Sequence, residues 1–237
     1  MKLKFASLFF KYKNFFSCSK MDQAQIISST KSFVQEALKN AESGHDWWHI
    51  QRVLANALAI GKTIAEADIF IVQLVALLHD IDDWKFIDEK DKTKKSVEFL
   101  KSVGLPEETI NKIDAIIDKV SFKGAGDSDK MEEIEGKIVQ DADRLDALGA
   151  IGIARCFSYG GFRNREMYNP EKKPHLHSNF EEYKKNTDGT SLNHFYEKLF
   201  LLKDRMKTEK GREMAMERHL FMEEYVKRFL EEWNGEL

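Results

Sequence analysis

The sequence predicts an all-α fold, a compact multi-helix bundle, from three observations. Only three prolines, Pro106, Pro170 and Pro174, interrupt 237 residues. From residue 21 onward apolar side chains recur at spacings of three and four instead of alternating, which puts them on one face of a helix. Residues 69–78 are apolar on nearly every side, the mark of a helix buried all round. A chain of this length can bury a substantial core as one domain, so a single domain over residues 21–237 is expected.

The elements follow in order. Residues 1–20 carry Lys2, Lys4, Lys11, Lys13 and Lys20 without an acidic residue, and their apolar run 5–10 is short for a secretory core. We read them as a dispensable tail, or an upstream start before Met21, with targeting or surface attachment as the alternative. Ile26, Phe33, Val34 and Leu38 share a face, giving a helix over about 23–40. Gly44 breaks the chain, and Asp46 is a plausible N-cap for a helix running to Ile64 through Val53, Leu54, Ala57 and Leu58. The buried helix spans about 68–81, with His79 and Asp80 at its end. Further helices are expected over 92–103, ended by Gly104, over 106–120 with proline in the first turn, and over 131–148. Residues 121–129 read as a loop, as do 159–190, which hold Gly160, Gly161, Pro170, Pro174, His175 and His177. Two helices, about 191–207 and 209–233, close the chain.

Composition narrows function. Charged residues make up 32% of the chain but the formal net charge is only −3, so there is no global basic field for a nucleic-acid polymer. A small polar substrate fits better. Cys18 and Cys156 match no zinc spacing and suggest no disulfide framework, which makes a reducing, cytoplasmic location the default. No stretch reads as a membrane span. A monomer and a homodimer are both compatible with the chain.

The chemistry-bearing feature is an ordered set: His49, the doublet His79-Asp80, and an acidic pair, Asp141 and Asp143, in one helix. Two imidazoles and two carboxylates can hold one divalent cation between helices. A lone histidine on an apolar helix is more often a hydrogen-bonded core residue, and a single aspartate a cap; the ordered set outweighs those readings.

Gly-His-Asp-Trp-Trp-His-Ile-Gln-Arg-Val at 44–53, Ala-Leu-Leu-His-Asp-Ile-Asp-Asp-Trp-Lys at 76–85 and Val-Gln-Asp-Ala-Asp-Arg-Leu-Asp-Ala-Leu-Gly-Ala at 139–150 resemble the HD superfamily of metal-dependent phosphohydrolases. They are similar to a single-domain bacterial branch that hydrolyses nucleoside triphosphates to monophosphate and pyrophosphate. Tyr159-Gly160-Gly161 and the run 194–199 extend the resemblance to about residues 25–233.

The resemblance implies a ligand set of His49, His79, Asp80 and Asp143. It selects His49 over His45 through Arg52, three positions on, and Asp143 over Asp141 because the ligand directly precedes Arg-Leu. His45 and Asp141 would then support the site from behind. Asp83, four residues after His79, is the expected water-activating group, with Asp82 as a solvated or capping neighbour; both also suit a plain acidic turn. Arg144, Lys85 and Lys123 are the expected phosphate contacts, and Arg144 also has a catalytic role. Trp47, Trp48, Trp84 and Phe122 can stack a base. No histidine lies between His79 and His175, so a single metal is expected, Mn²⁺ foremost, with Mg²⁺, Co²⁺, Ni²⁺, Fe²⁺ or Zn²⁺ as alternatives. The expected function is nucleotide phosphohydrolysis, with a phosphomonoesterase or a non-catalytic nucleotide-binding module as the other readings.

Overall fold

The computed structural model describes residues 21–39, 46–82, 94–120, 131–175 and 189–237. In chain order its helices are α1 (Gln23–Ala37), α2 (Trp47–Gly61), α3 (Ile69–Leu78), α4 (Lys95–Ser102), α5 (Glu107–Val120), α6 (Ile134–Asp146), α7 (Gly149–Phe162), α8 (Asn193–Glu197) and α9 (Glu209–Trp233). Two 3₁₀ turns, Leu199–Leu201 and Lys203–Arg205, lie between α8 and α9. Among the described residues no strand occurs, and the fold is all-α.

Helix starts are set by side chains that take up the first free N–H groups. Asp22 and Gln25 form a reciprocal capping box on α1. Asp46 accepts from the His49 N–H at 2.9 Å, and Asp68 from those of Phe70 and Ile71 at 2.9 and 3.2 Å. Thr208 starts α9 by accepting from the Gly211 N–H at 3.0 Å. The N-terminus of α4 is capped from a distance: Asp82 accepts from the N–H groups of Lys95 (2.7 Å) and Ser96 (3.1 Å) and from the Ser96 hydroxyl.

Helix α3 sits at the centre, packed against α1, α2, α5 and α6. Its Val72, Leu74, Val75, Ala76, Leu77 and Leu78 have no exposed surface, in keeping with the all-round apolar pattern. Burying a side chain of this size contributes about 1.5–3 kcal/mol, so this helix anchors the core. Ile50, Val53 and Ile60 of α2 and Ile138 and Leu145 of α6 close around it, while α9 covers α6 and α7.

Three sequence expectations are corrected. First, the stretch read as a loop from 159 begins as helix: α7 continues through Gly160 and Gly161 to Phe162. A Cβ on Gly160 would land on the Ser191 hydroxyl, so the glycine serves a close approach of two segments and not a turn. Second, the helix over 131–148 stops at Asp146, and α7 starts at Gly149, whose φ of 70° redirects the chain. Third, the helix expected over 191–207 is one short helix and two 3₁₀ turns. The carboxylate of Asp141 binds the N–H groups of Lys207 (2.9 and 3.0 Å) and Thr208 (2.8 Å) and holds this junction open just before α9. The expectations for residues 1–20 and 121–129 lie outside the described residues.

Candidate metal centre

The cap on α2 fixes the first candidate ligand. Asp46 holds the His49 backbone, and the imidazole, 1% exposed, points from the first turn of α2 toward α6. Its Nδ1 lies 2.7 Å from Asp146 Oδ2. Its Nε2 lies 3.4 Å from Asp80 Oδ2 and 3.5 Å from Asp143 Oδ1. Burial alone would depress this imidazole's pKa; the hydrogen bonds to Asp146 and Asp80 and the charge of Asp143 outweigh it and raise the pKa to about 9.

The doublet comes from the end of the central helix. Helix α3 stops at Leu78, His79 is its cap and Asp80 follows in the turn, so both side chains gather beyond the helix end. His79 Nδ1 lies 2.9 Å from the Ala76 carbonyl, which can only accept. Nδ1 therefore carries the proton, and Nε2 presents a lone pair. That Nε2 is buried and makes no hydrogen bond. A buried polar atom left in this way is costly unless something else binds it.

Ligand atoms of His49, His79 and Asp80 all lie within 4.8 Å of one another, close enough for one cation to draw them together. Asp143, from α6, reaches the trio through His49, and its carboxylate is 34% exposed while the other three are nearly enclosed. The trio is thus a buried floor and Asp143 stands at its open side. With two imidazole nitrogens, carboxylate oxygens and no thiolate, the donors suit a divalent cation of intermediate hardness.

The remaining predicted residues divide. Asp141 is fully buried, but its carboxylate serves the backbone before α9 and the Thr208 hydroxyl at 2.7 Å, with Arg144 Nη1 at 3.9 Å. It therefore braces the backbone before α9 and stands beside Arg144, the neighbour of the candidate ligand Asp143. Arg144 donates to the Arg205 carbonyl at 2.5 Å, and its side chain is 10% exposed. Asp82 is a capping residue, one of the two roles expected of it. His175 lies in an exposed segment, its N–H bonded to Glu197 at 3.0 Å. Trp47 packs on the core, whereas Trp48 is 67% exposed. His45, Asp83, Lys85, Lys123, Trp84 and Phe122 lie outside the described residues.

Sequence reasoning missed Asp146. It lies 97 residues from His49, and nothing local distinguishes it from a helix-ending acid. The one available signal was its position three residues after Asp143, which puts both on the face of α6 that meets α2.

A family model described as "HD domain" matches residues 47–148, from the first residue of α2 to just past α6. YpgQ of Bacillus subtilis is 37% identical over 209 residues, spanning 87% of this chain and 93% of that protein.

The chain belongs to the HD superfamily.

Its fold agrees with an HD-superfamily hydrolase from Bacillus thuringiensis, 40% identical with a TM-score of 0.72, which covers 90% of this chain and 99% of that one. The crystal structure of B. subtilis YpgQ in complex with ADP matches with a TM-score of 0.70 at 34% identity, over 90% of this chain and 96% of that one. The protein is a hydrolase of the HD superfamily, and the matched segment contains His49, His79, Asp80 and Asp143.

Proposed function

We propose that the protein is a metal-dependent phosphohydrolase of nucleotides, converting a nucleoside triphosphate and water to the monophosphate and pyrophosphate. The observation that carries this reading is the buried His79 Nε2, without a hydrogen bond, beside His49 and Asp80, with the half-buried Asp143 at the edge. The nucleotide as substrate is supported by the similar YpgQ, whose crystal structure holds ADP.

One divalent cation, Mn²⁺ foremost, would be held by His49, His79, Asp80 and Asp143. When bound, it supplies positive charge to a phosphate oxygen and lowers the pKa of the attacking water. The protein's share is orientation. The Ala76 carbonyl fixes the tautomer of His79, and the apolar end of α3 keeps bulk water from the floor of the site. Substrate enters on the Asp143 side, where the trio is open. Asp83 is assigned to positioning or deprotonating the water, and Lys85 and Lys123 to the polyphosphate, on the sequence resemblance.

The test is product analysis with a panel of nucleoside triphosphates and Mn²⁺. Pyrophosphate with the nucleoside monophosphate is the expected result. Orthophosphate as the first product would replace this reading by a phosphomonoesterase, and binding without turnover by a nucleotide-binding module.

A further inference from the structure

Two acids on one face of α6 meet the same imidazole from opposite sides. Asp143 Oδ1 lies 3.5 Å from His49 Nε2, and Asp146 Oδ2 lies 2.7 Å from His49 Nδ1. Spacing alone does not say which acid binds a cation and which binds the ring. Their surroundings decide it.

Asp146, 1% exposed, receives four hydrogen bonds. Arg52 Nε reaches Oδ1 at 2.6 Å and Arg52 Nη2 reaches Oδ2 at 3.0 Å, a two-pronged grip from α2. Arg155 Nη1, from α7, reaches Oδ2 at 2.8 Å and also the Asp146 carbonyl at 3.0 Å. His49 is the fourth donor. A carboxylate gripped by two guanidinium groups and an imidazole has its charge already matched, and three of the four donors crowd Oδ2, so it is poorly placed to serve a cation as well.

We infer that Asp146, clamped by Arg52 and Arg155, is the positioning residue that orients His49 toward the cation: it holds the proton on Nδ1 and leaves Nε2 as the donor atom. This rests on the metal-site reading above. The clamp also explains why Asp143 and not Asp146 is the carboxylate that faces the site, although both lie on one helix face. Arg155 extends the arrangement beyond residue 148, so the orientation of a ligand on α2 depends on α7, outside the segment that the HD family model matches. Asparagine cannot replace Asp146 without loss. It offers one oxygen and an NH₂ group, and the NH₂ would confront donors.

The experiment is Mn²⁺ titration of chelator-treated full-length protein by calorimetry, wild type against Asp146→Asn, with ¹⁵N-histidine NMR of the Zn²⁺-loaded proteins. The expected result is a dissociation constant about 10–100-fold weaker in Asp146→Asn, the usual cost of losing such support. In the wild type the His49 Nδ1 proton should be shifted downfield and slow to exchange because it is bound to Asp146, and in Asp146→Asn that shift and protection should be lost. A purely structural role would lower stability without changing the His49 Nδ1 signal. An unchanged dissociation constant in a folded Asp146→Asn would overturn the inference alone. If that variant does not fold, the wild-type spectrum decides: a His49 Nδ1 proton without that shift and protection overturns the inference, and one with both supports it. Failure of the wild type to bind Mn²⁺ would overturn the metal-site reading and this inference with it.

Discussion

At the scale of single residues, His49 carries the electrostatics of the site. Asp146, Asp80 and Asp143 overcome burial and raise its pKa from 6.5 to about 9. A group raised in this way stabilises the folded state fully below its unfolded value, and that contribution fades as pH climbs through the folded value. In chelator-treated protein the His49 contribution should therefore be complete below about pH 6.5 and lost by about pH 9 and above. Urea midpoints measured across that range, wild type against His49→Gln, should converge as pH rises; divergence would contradict the account. Cation binding must displace the same proton, so it should release a proton near neutral pH. His49, His79 and Asp80 could be read from the chain because chemistry-bearing side chains stand there in order with few bland explanations. Asp146 could not, because its meaning depends on Arg52, His49 and Arg155, which only folding brings to it.

At the scale of elements, the site depends on where α3 ends. Asp82 ties the turn after His79 and Asp80 to the start of α4, spanning 13 residues of chain with its bond to the Lys95 N–H. Asp82→Ala should cost about 0.5–2 kcal/mol, as loss of a helix cap does, and should weaken cation binding if that turn loosens. Chemical denaturation with a parallel Mn²⁺ titration checks both. Leu74→Ala, at a position in α3 with no exposed surface, should cost more, about 2–5 kcal/mol from lost burial plus the cavity. A loss under about 1 kcal/mol would mean α3 is not the anchor described. Helix positions were largely legible: α9 starts and ends as expected over 209–233, and Asp46 caps α2. What pattern could not give were the breaks imposed by tertiary contacts. Gly160 read as a loop signal, yet it lies inside α7 because Ser191 crosses there. The run 191–207 read as helix, yet Asp141 pulls the backbone before α9 out of helical form.

At the scale of the whole molecule, one core from Ile26 to Val226 joins α1 to α9, and the candidate site sits where α2, the end of α3 and α6 converge within it. A chain beginning at Met21 retains that core and the Asp22 cap of α1, so it should fold with an unchanged melting temperature and keep its activity. A large drop in melting temperature would place part of residues 1–20 in the folded structure. Among the described residues no helix is long and apolar enough to cross a membrane. The central claim is that this convergence holds one divalent cation. The most direct measurement is the Mn²⁺ stoichiometry of full-length protein, wild type against His79→Ala, each first treated with chelator and shown to be folded by circular dichroism. The account predicts one ion per chain in the wild type and loss of that binding in His79→Ala, because the buried Nε2 is removed. Equal stoichiometry and affinity in the two proteins would contradict it.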